Sequence, residues 1–414
     1  MKNVTVLLVM ILFTAGMSLA QNNDASIDQV GDLHDATISQ TGSSNEAFVL
    51  QTADAGREGS DVSTASVSQE GSDNYVNLNQ RAFYGNNNAI IEMVGSNNSV
   101  QGTSSNSAFY QNHGLNTIDV SMQGNDNVLY SLRGEAQKNV NLLELEITGN
   151  ANTVGLLQEY GRAYVDILGI SNSVLLDQKA GSNNAAQTAT IDVVGDANSV
   201  DVYQRGGSNE ATVDLSGNDS DADISQNGFA NTAFVTQGGQ NLDAGVMQNG
   251  DDNAADIDQS GENHRASQWV SGNNNSVDQT QTGSNNGQRV EITGSDNIFD
   301  VTQHGQNNFS YVNARGTGPG ENSLSLHNSI FDLLQEGSDL RSSGSIGGND
   351  NTVNIHQAGS GHRITGGQGG YDAAGFTIEG NGNSLEISQF GADHSAVSNQ
   401  FGDGNSATIT QYGS

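Results

Sequence analysis

From Gly195 to Gly316 a glycine stands at every eleventh residue, through Gly206, Gly217, Gly228, Gly239, Gly250, Gly261, Gly272, Gly283, Gly294 and Gly305. The phase returns as Gly337, Gly348, Gly359 and Gly370, then as Gly380, Gly391, Gly402 and Gly413. The N-terminal half carries the same unit at more irregular spacing, at Gly31, Gly42, Gly71, Gly85, Gly95, Gly124 and Gly149. A repeat this short holds one strand and one turn and cannot bury a hydrophobic face alone. Its copies must stack on one another to make a core.

Three residues after the glycine stands Asn in most units, as in Gly42–Asn45, Gly228–Asn231, Gly250–Asn253 and Gly402–Asn405. His34, His264, His362, His394 and Ser220 take that slot elsewhere. From the slot onward every second residue forms one face, as in Asn253, Ala255, Ile257, Gln259 and Asn383, Leu385, Ile387, Gln389. The residues between them are mostly polar. Strict alternation predicts a half-buried β-strand, and helical spacing fits nowhere. The G-[DSN]-[DN]-N segment supplies residues that tolerate positive φ or bond their own backbone, as a tight turn requires. The expected fold is therefore all-β, a β-solenoid of about 22-residue rungs, each made of two strand–turn units stacked at ~4.8 Å. Asn and Gln on the inward face are expected to bond their own copies along the stack, which satisfies polar groups in a thin interior. The residues assigned to these ladders and turns are Gln40, Gly42, Asn45, Gln51, Gln226, Gly228, Asn231, Gln237, Gln248, Gly250, Asn253, Gln259, Gln400, Gly402, Asn405 and Gln411.

Composition fits this reading. Only 34% of the 414 residues are hydrophobic, while glycine supplies 52 and proline one. Disordered chains of low hydrophobicity are usually proline-rich, so near-absence of proline points to an extended, hydrogen-bonded chain. The formal net charge of −34 opposes encounter with nucleic acid or an anionic membrane. No cysteine is present, which excludes disulfides and thiolate metal sites. Lys2, the apolar run Val4–Phe13 and the small residues of Ser18-Leu19-Ala20 make residues 1–20 a signal peptide rather than a membrane anchor. Residues 21–316 then form one repeat array, 317–345 an irregular insertion around Pro319, and 346–414 a continuation of the array.

These residues resemble curlin repeats, the units of the bacterial amyloid fibres called curli, whose motif reads S-x5-Q-x-G-x-G-N-x-A-x3-Q. Ser220, Gln226, Gly228, Asn231, Ala233 and Gln237 match it in order, with Ala230 at the second glycine. Gln400, Gly402, Gly404, Asn405, Ala407 and Gln411 match with that glycine present, and His394 replaces the leading Ser. Gln40–Gln51 and Gln248–Gln259 fit the Gln-to-Gln core. The resemblance implies a secreted subunit that polymerises with itself into cross-β surface fibres serving adhesion and biofilm matrix. It also implies a nucleator subunit and an outer-membrane secretion channel as partners. The residues themselves point to the same mechanism. Ser406–Gln411 (SATITQ) has no charge, no proline and strong β propensity, and is expected to leave an open strand edge that templates the next molecule. The alternative is a capped, monomeric β-solenoid acting as an adhesin or ice-binding protein.

Other chemistry is not supported. No H-E-x-x-H, G-x-S-x-G or P-loop pattern occurs, so neither an enzyme nor a cofactor site is expected. Asp219-x-Asp221-x-Asp223 opens like a calcium loop but lacks the following Gly and the distal Glu. The four slot histidines are read as ladder residues, not metal ligands. Outward Asp201, Asp214, Asp256, Asp258, Asp278 and Asp300 form a charged face that is expected to slow premature aggregation.

Overall fold

The computed structural model describes residues 22–413 apart from 32, 54–61, 83–84, 104–106, 113–115, 133–136, 139–140, 182–184, 315–325 and 365–374. The segment read as a signal peptide, and Pro319 with it, lie outside the described residues. The chain forms two compact units, Met1–Glu159 and Tyr160–Ser414. In each, short strands alternate between two parallel sheets, so that a strand pairs with the next but one along the chain. In the first unit, Asp24–Val30 pairs with Glu46–Ala53 while Asp35–Ser43 pairs with Ser63–Ser72. In the second, Asp221–Phe229 pairs with Asp243–Asn249 while Thr232–Gln240 pairs with Ala254–Glu262. This is a β-solenoid with 22-residue rungs where the spacing is regular, as in Gln237↔Gln259.

The turn chemistry accounts for the period. Gly250 has φ of +129°, and Asp252 two residues later adopts the left-handed conformation at φ 56°. Asn263, Asn274, Asn285, Asp296 and Asn307 repeat that conformation in successive turns. Asn and Asp tolerate it best among residues with a side chain. Glycine at the first position is required for a second reason. A Cβ on Gly250 would lie 2.0 Å from the carbonyl oxygen of Gly272 in the next rung.

Inward residues meet in the middle of each rung. Asn253, Ala255, Ile257 and Gln259 are all at most 2% exposed. The stack also takes aromatic rings where space is made for them. Phe299 and Phe331 are neighbours in register with ring centroids 5.6 Å apart, and Phe376 stacks on Phe331 at 6.0 Å. Gly344 lies beside Phe376 in the opposing sheet, and a side chain there would occupy the space of that ring.

Insertions change the spacing without breaking the register. Gln51 pairs with Gln80, and Gln303 with Gln335 across 32 residues. Of the stretch 317–345 expected to be irregular, Ile330–Ser338 pairs in full register with Ile298–Gln306 and Thr352–Ser360, and Arg341–Gly347 pairs with Phe309–Ala314. The irregularity is thus narrower than the sequence suggests. A loop can absorb extra residues at a rung corner while the strands on either side keep their partners.

Candidate functional site

The inward glutamines form hydrogen-bonded ladders with a direction. In the second unit Gln237, Gln259, Gln281, Gln303, Gln335, Gln357 and Gln389 each donate from Nε2 to Oε1 of the next, ending on Gln411, over 2.7–3.0 Å. The second N–H of several crosses the core to a strand carbonyl, as from Gln237 to Asp221 O at 3.1 Å and from Gln259 to Asp243 O at 3.1 Å. A shorter ladder on the opposite sheet runs Gln178, Gln204, Gln226, Gln248. In the first unit Gln29, Gln51, Gln80, Gln111, Gln137 and Gln158 form one ladder, and Gln40 donates to Gln69 in the other column.

The asparagine ladders run in the opposite direction. Asn253 donates from its backbone N and from Nδ2 to Asn231 Oδ1, at 3.1 and 3.0 Å, and its Nδ2 also donates to Gly272 O. Asn45, Asn74 and Asn98 repeat the pattern in the first unit. The slot oxygen therefore faces the following rung and accepts its backbone N–H, while the slot's own backbone N–H donates to the preceding one.

Of the glutamines assigned from the sequence, Gln40, Gln51, Gln226, Gln237, Gln248, Gln259 and Gln411 lie in these ladders and Gln400 does not, and the ladders are not continuous. The column of Gln40 and Gln69 passes to Met93, Met122 and Ile147, all buried. Gln248 is followed by Val270 and Ile292. Gln237 sits on Leu215 and Gln400 on Ile378, and in both the Oε1 atom is buried without a hydrogen-bond partner. At Gln237 a ladder begins, because its first acceptor has no amide behind it. Gln400 has no amide neighbour among the described residues and donates to Ser384 O at 2.9 Å.

The slot histidines substitute for asparagine atom for atom. Nε2 of His264 lies 3.1 Å from Ser260 O, and its Nδ1 accepts the backbone N–H of Asn286 at 3.3 Å. His362 does the same with Ala358 O and His394 N. A carbonyl oxygen can only accept, so Nε2 carries the proton and the neutral ring presents Nδ1 as acceptor. Burial holds the His264 imidazolium pKa below its ordinary value, although its bonds to backbone carbonyls act the other way.

Outward carboxylates stack as closely as the amides. Asp256, Asp278, Asp300 and Asp332 are neighbours in register along one sheet. Partial burial, then Asp256, Asp300 and Asp258, push the Asp278 carboxyl up to about 6. Asp223 is likewise pushed up to about 6, by burial first and then by Asp221, Asp201 and Asp243. Among the described residues no group of three or more His, Asp or Glu could hold a metal ion.

The rungs at two edges are open. Ser398–Phe401 and Ser406–Tyr412 each pair on one side only among the described residues, with Phe376–Glu379 and Ser384–Ala392. Leu385, Ile387 and Gln389 are fully buried, whereas their counterparts Ala407, Ile409 and Gln411 are only partly so. In the first unit Asp24–Val30 and Asp35–Ser43 also pair on one side only among the described residues, and Ala36, Ile38 and Gln40 are half-buried. The two edges carry nearly the same row, DATISQTG at 35–42 and SATITQYG at 406–413. Ladder polarity makes them complementary. Gln411 ends a ladder on its Nε2 donor, whereas Gln40 begins one on its Oε1 acceptor.

The curlin associated repeat matches residues 20–52, 195–228, 217–250, 250–283, 348–391 and 380–413. No curated protein matches the chain. The chain thus carries six curlin repeats, on solenoid rungs whose inward amides fall at the repeat's Gln and Asn positions.

Proposed function

We propose that the chain is a secreted structural subunit that assembles with copies of itself into curli-type cross-β fibres at the cell surface. The observation that carries this reading is the pair of open rungs with matching rows and opposite amide termini. An unpaired strand edge is a template for another chain, and a β-solenoid that ends on one stacks copies end to end. Docking Asp35–Ser43 of one copy on Ser406–Tyr412 of another places Ala36 on Ala407, Ile38 on Ile409 and Gln40 on Gln411. It would extend the glutamine ladder and bury side chains that each edge leaves half-exposed. Adhesion and matrix formation follow as the role of such a fibre, with a nucleator subunit and an outer-membrane channel as its export and assembly partners. The curlin repeats and a core built from amide ladders support a structural protein.

Purified chain released from denaturant should form fibres that bind an amyloid dye and give a meridional reflection at ~4.7 Å. A stable soluble monomer of the same β content would refute the reading in favour of a capped adhesin or ice-binding protein.

A further inference from the structure

We propose that His394 is the titratable hydrogen-bond acceptor of the growing edge, so that a docking copy is accepted only while its imidazole is neutral. The inference rests on the fibre reading above and adds to it the residue that selects the pH of growth.

Within the folded chain the Asn and His slot side chains accept the backbone N–H of the slot one rung onward. Asn383 Oδ1 does this for Asn405 at 2.8 Å, and His362 Nδ1 for His394 at 3.2 Å. His394 continues that series. Its ring stacks on His362 with centroids 5.0 Å apart and planes within 8°. Its Nε2 lies 2.9 Å from Phe390 O, which fixes the proton there and leaves Nδ1 as the lone pair directed at the open side. The slot that would follow in the docked copy is Asn23, just before the strand Asp24–Val30. The donor is its backbone N–H. Protonation of His394 replaces the lone pair with a second N–H that points at this donor, and the contact turns from attractive to repulsive. Asparagine, the usual slot residue, has no such state.

The charged groups around the ring do not remove the effect. Asp393 and Asp339 line the same concavity of about 490 Å³ as His394, and so do Arg341 and Arg363. His362 faces the ring from the preceding rung. Asp24 of the docked copy would arrive opposite Ser395. The carboxylates favour the imidazolium, the guanidinium groups and a charged His362 disfavour it, and none supplies the missing acceptor.

The test is seeded elongation of the full chain and of His394→Asn, at pH 7.5 and pH 5.5 and one ionic strength. Taking the ratio of the two rates cancels pH effects common to both, the carboxylate columns among them. The wild-type to variant ratio should fall several-fold at the lower pH. His356→Asn serves as a second variant. His356 faces outward, 3.1 Å from Glu336, and its loss should leave the wild-type pH profile unchanged. A ratio that stays constant while both proteins grow overturns the role of His394 and leaves the fibre reading intact. A pH profile flattened by His356→Asn instead also overturns it. No fibres from either protein at either pH overturns the fibre reading, and this inference with it.

Discussion

Replacing a glutamine in the middle of a ladder should cost far more than replacing one at its head. Gln335 accepts from Gln303 at 2.7 Å and donates to Gln357 at 2.7 Å. Gln335→Leu leaves an N–H of Gln303 and the Oε1 of Gln357 buried without partners. At ~1–3 kcal/mol for each buried orphan, the loss is ~2–6 kcal/mol. Leucine returns ~1.5–3 kcal/mol through apolar burial, which leaves a net destabilisation of ~2 kcal/mol at the middle of both ranges. Gln237 is different because its Oε1 is already an orphan above Leu215. Gln237→Leu removes that orphan and creates one at Gln259, so the count does not change. By the same arithmetic only the apolar return of leucine remains, so Gln237→Leu is expected to stabilise its rung by ~1.5–3 kcal/mol. Solenoid rungs open locally, so the suitable assay is amide hydrogen exchange read strand by strand. Each 1.4 kcal/mol appears as about a tenfold change in exchange. Exchange in Ile330–Ser338 should accelerate about fivefold or more in Gln335→Leu, while that in Thr232–Gln240 of Gln237→Leu should stay at or below the wild-type rate. Equal effects at the two positions would refute the claim that ladder continuity, rather than the presence of an amide, stabilises the core.

Other outcomes follow from the same geometry. Gln279 sits between Ile257 and Val301 with both amide atoms buried and unpartnered, so Gln279→Ile should stabilise its rung by ~1–3 kcal/mol or more, read as slower exchange in Ser276–Ser284. Gly250→Ala should disrupt the rung by more than the ~1–3 kcal/mol of its backbone strain, because the added carbon meets Gly272 O, and exchange should rise on both sides of the turn. The folded Asp278 carboxyl titrates near 6, above its unfolded value of ~3.9, so the folded state binds the proton more tightly. Its contribution is full below ~3.9 and is lost as pH rises through 6. Rung stability should therefore increase from pH 7 to pH 5, and Asp278→Asn should flatten that rise in a thermal melt. Added salt should speed assembly by screening the same carboxylate columns, as dye-binding kinetics would record.

Much of this architecture was legible in the sequence. The glycine period located the turns, and the alternating row from Asn253 to Gln259 identified the inward face before any strand was paired. The ladder positions of Gln226, Gln237 and Gln259 follow from the period alone. Three things do not. The direction of an amide ladder is a property of side-chain rotation, which residue identity leaves open. The partner of a strand after an insertion depends on how many residues the corner absorbs, so the pairing of Gln303 with Gln335 is invisible to a fixed period. The column changes at Met93 and Val270 were present in the sequence. They carry meaning only once the neighbour in the next rung is known. The histidines illustrate a partial success, since their slot was apparent while the exchange of Oδ1 for Nδ1 needed the geometry.

The central claim, that one copy docks its Asp35–Ser43 rung on the Ser406–Tyr412 rung of another, can be tested by cross-linking, since the chain contains no cysteine. Thr410→Cys and Ser39→Cys proteins would be mixed, assembled and oxidised. In the proposed register residues 410 and 39 are direct parallel neighbours on the outward face, at the ~4.8 Å strand spacing that falls within the Cα range of a disulfide. The account predicts disulfides joining the two variants to each other, and none when either variant is assembled alone. Fibres containing 410–410 or 39–39 pairs, or no cross-link in mixed fibres, would contradict it.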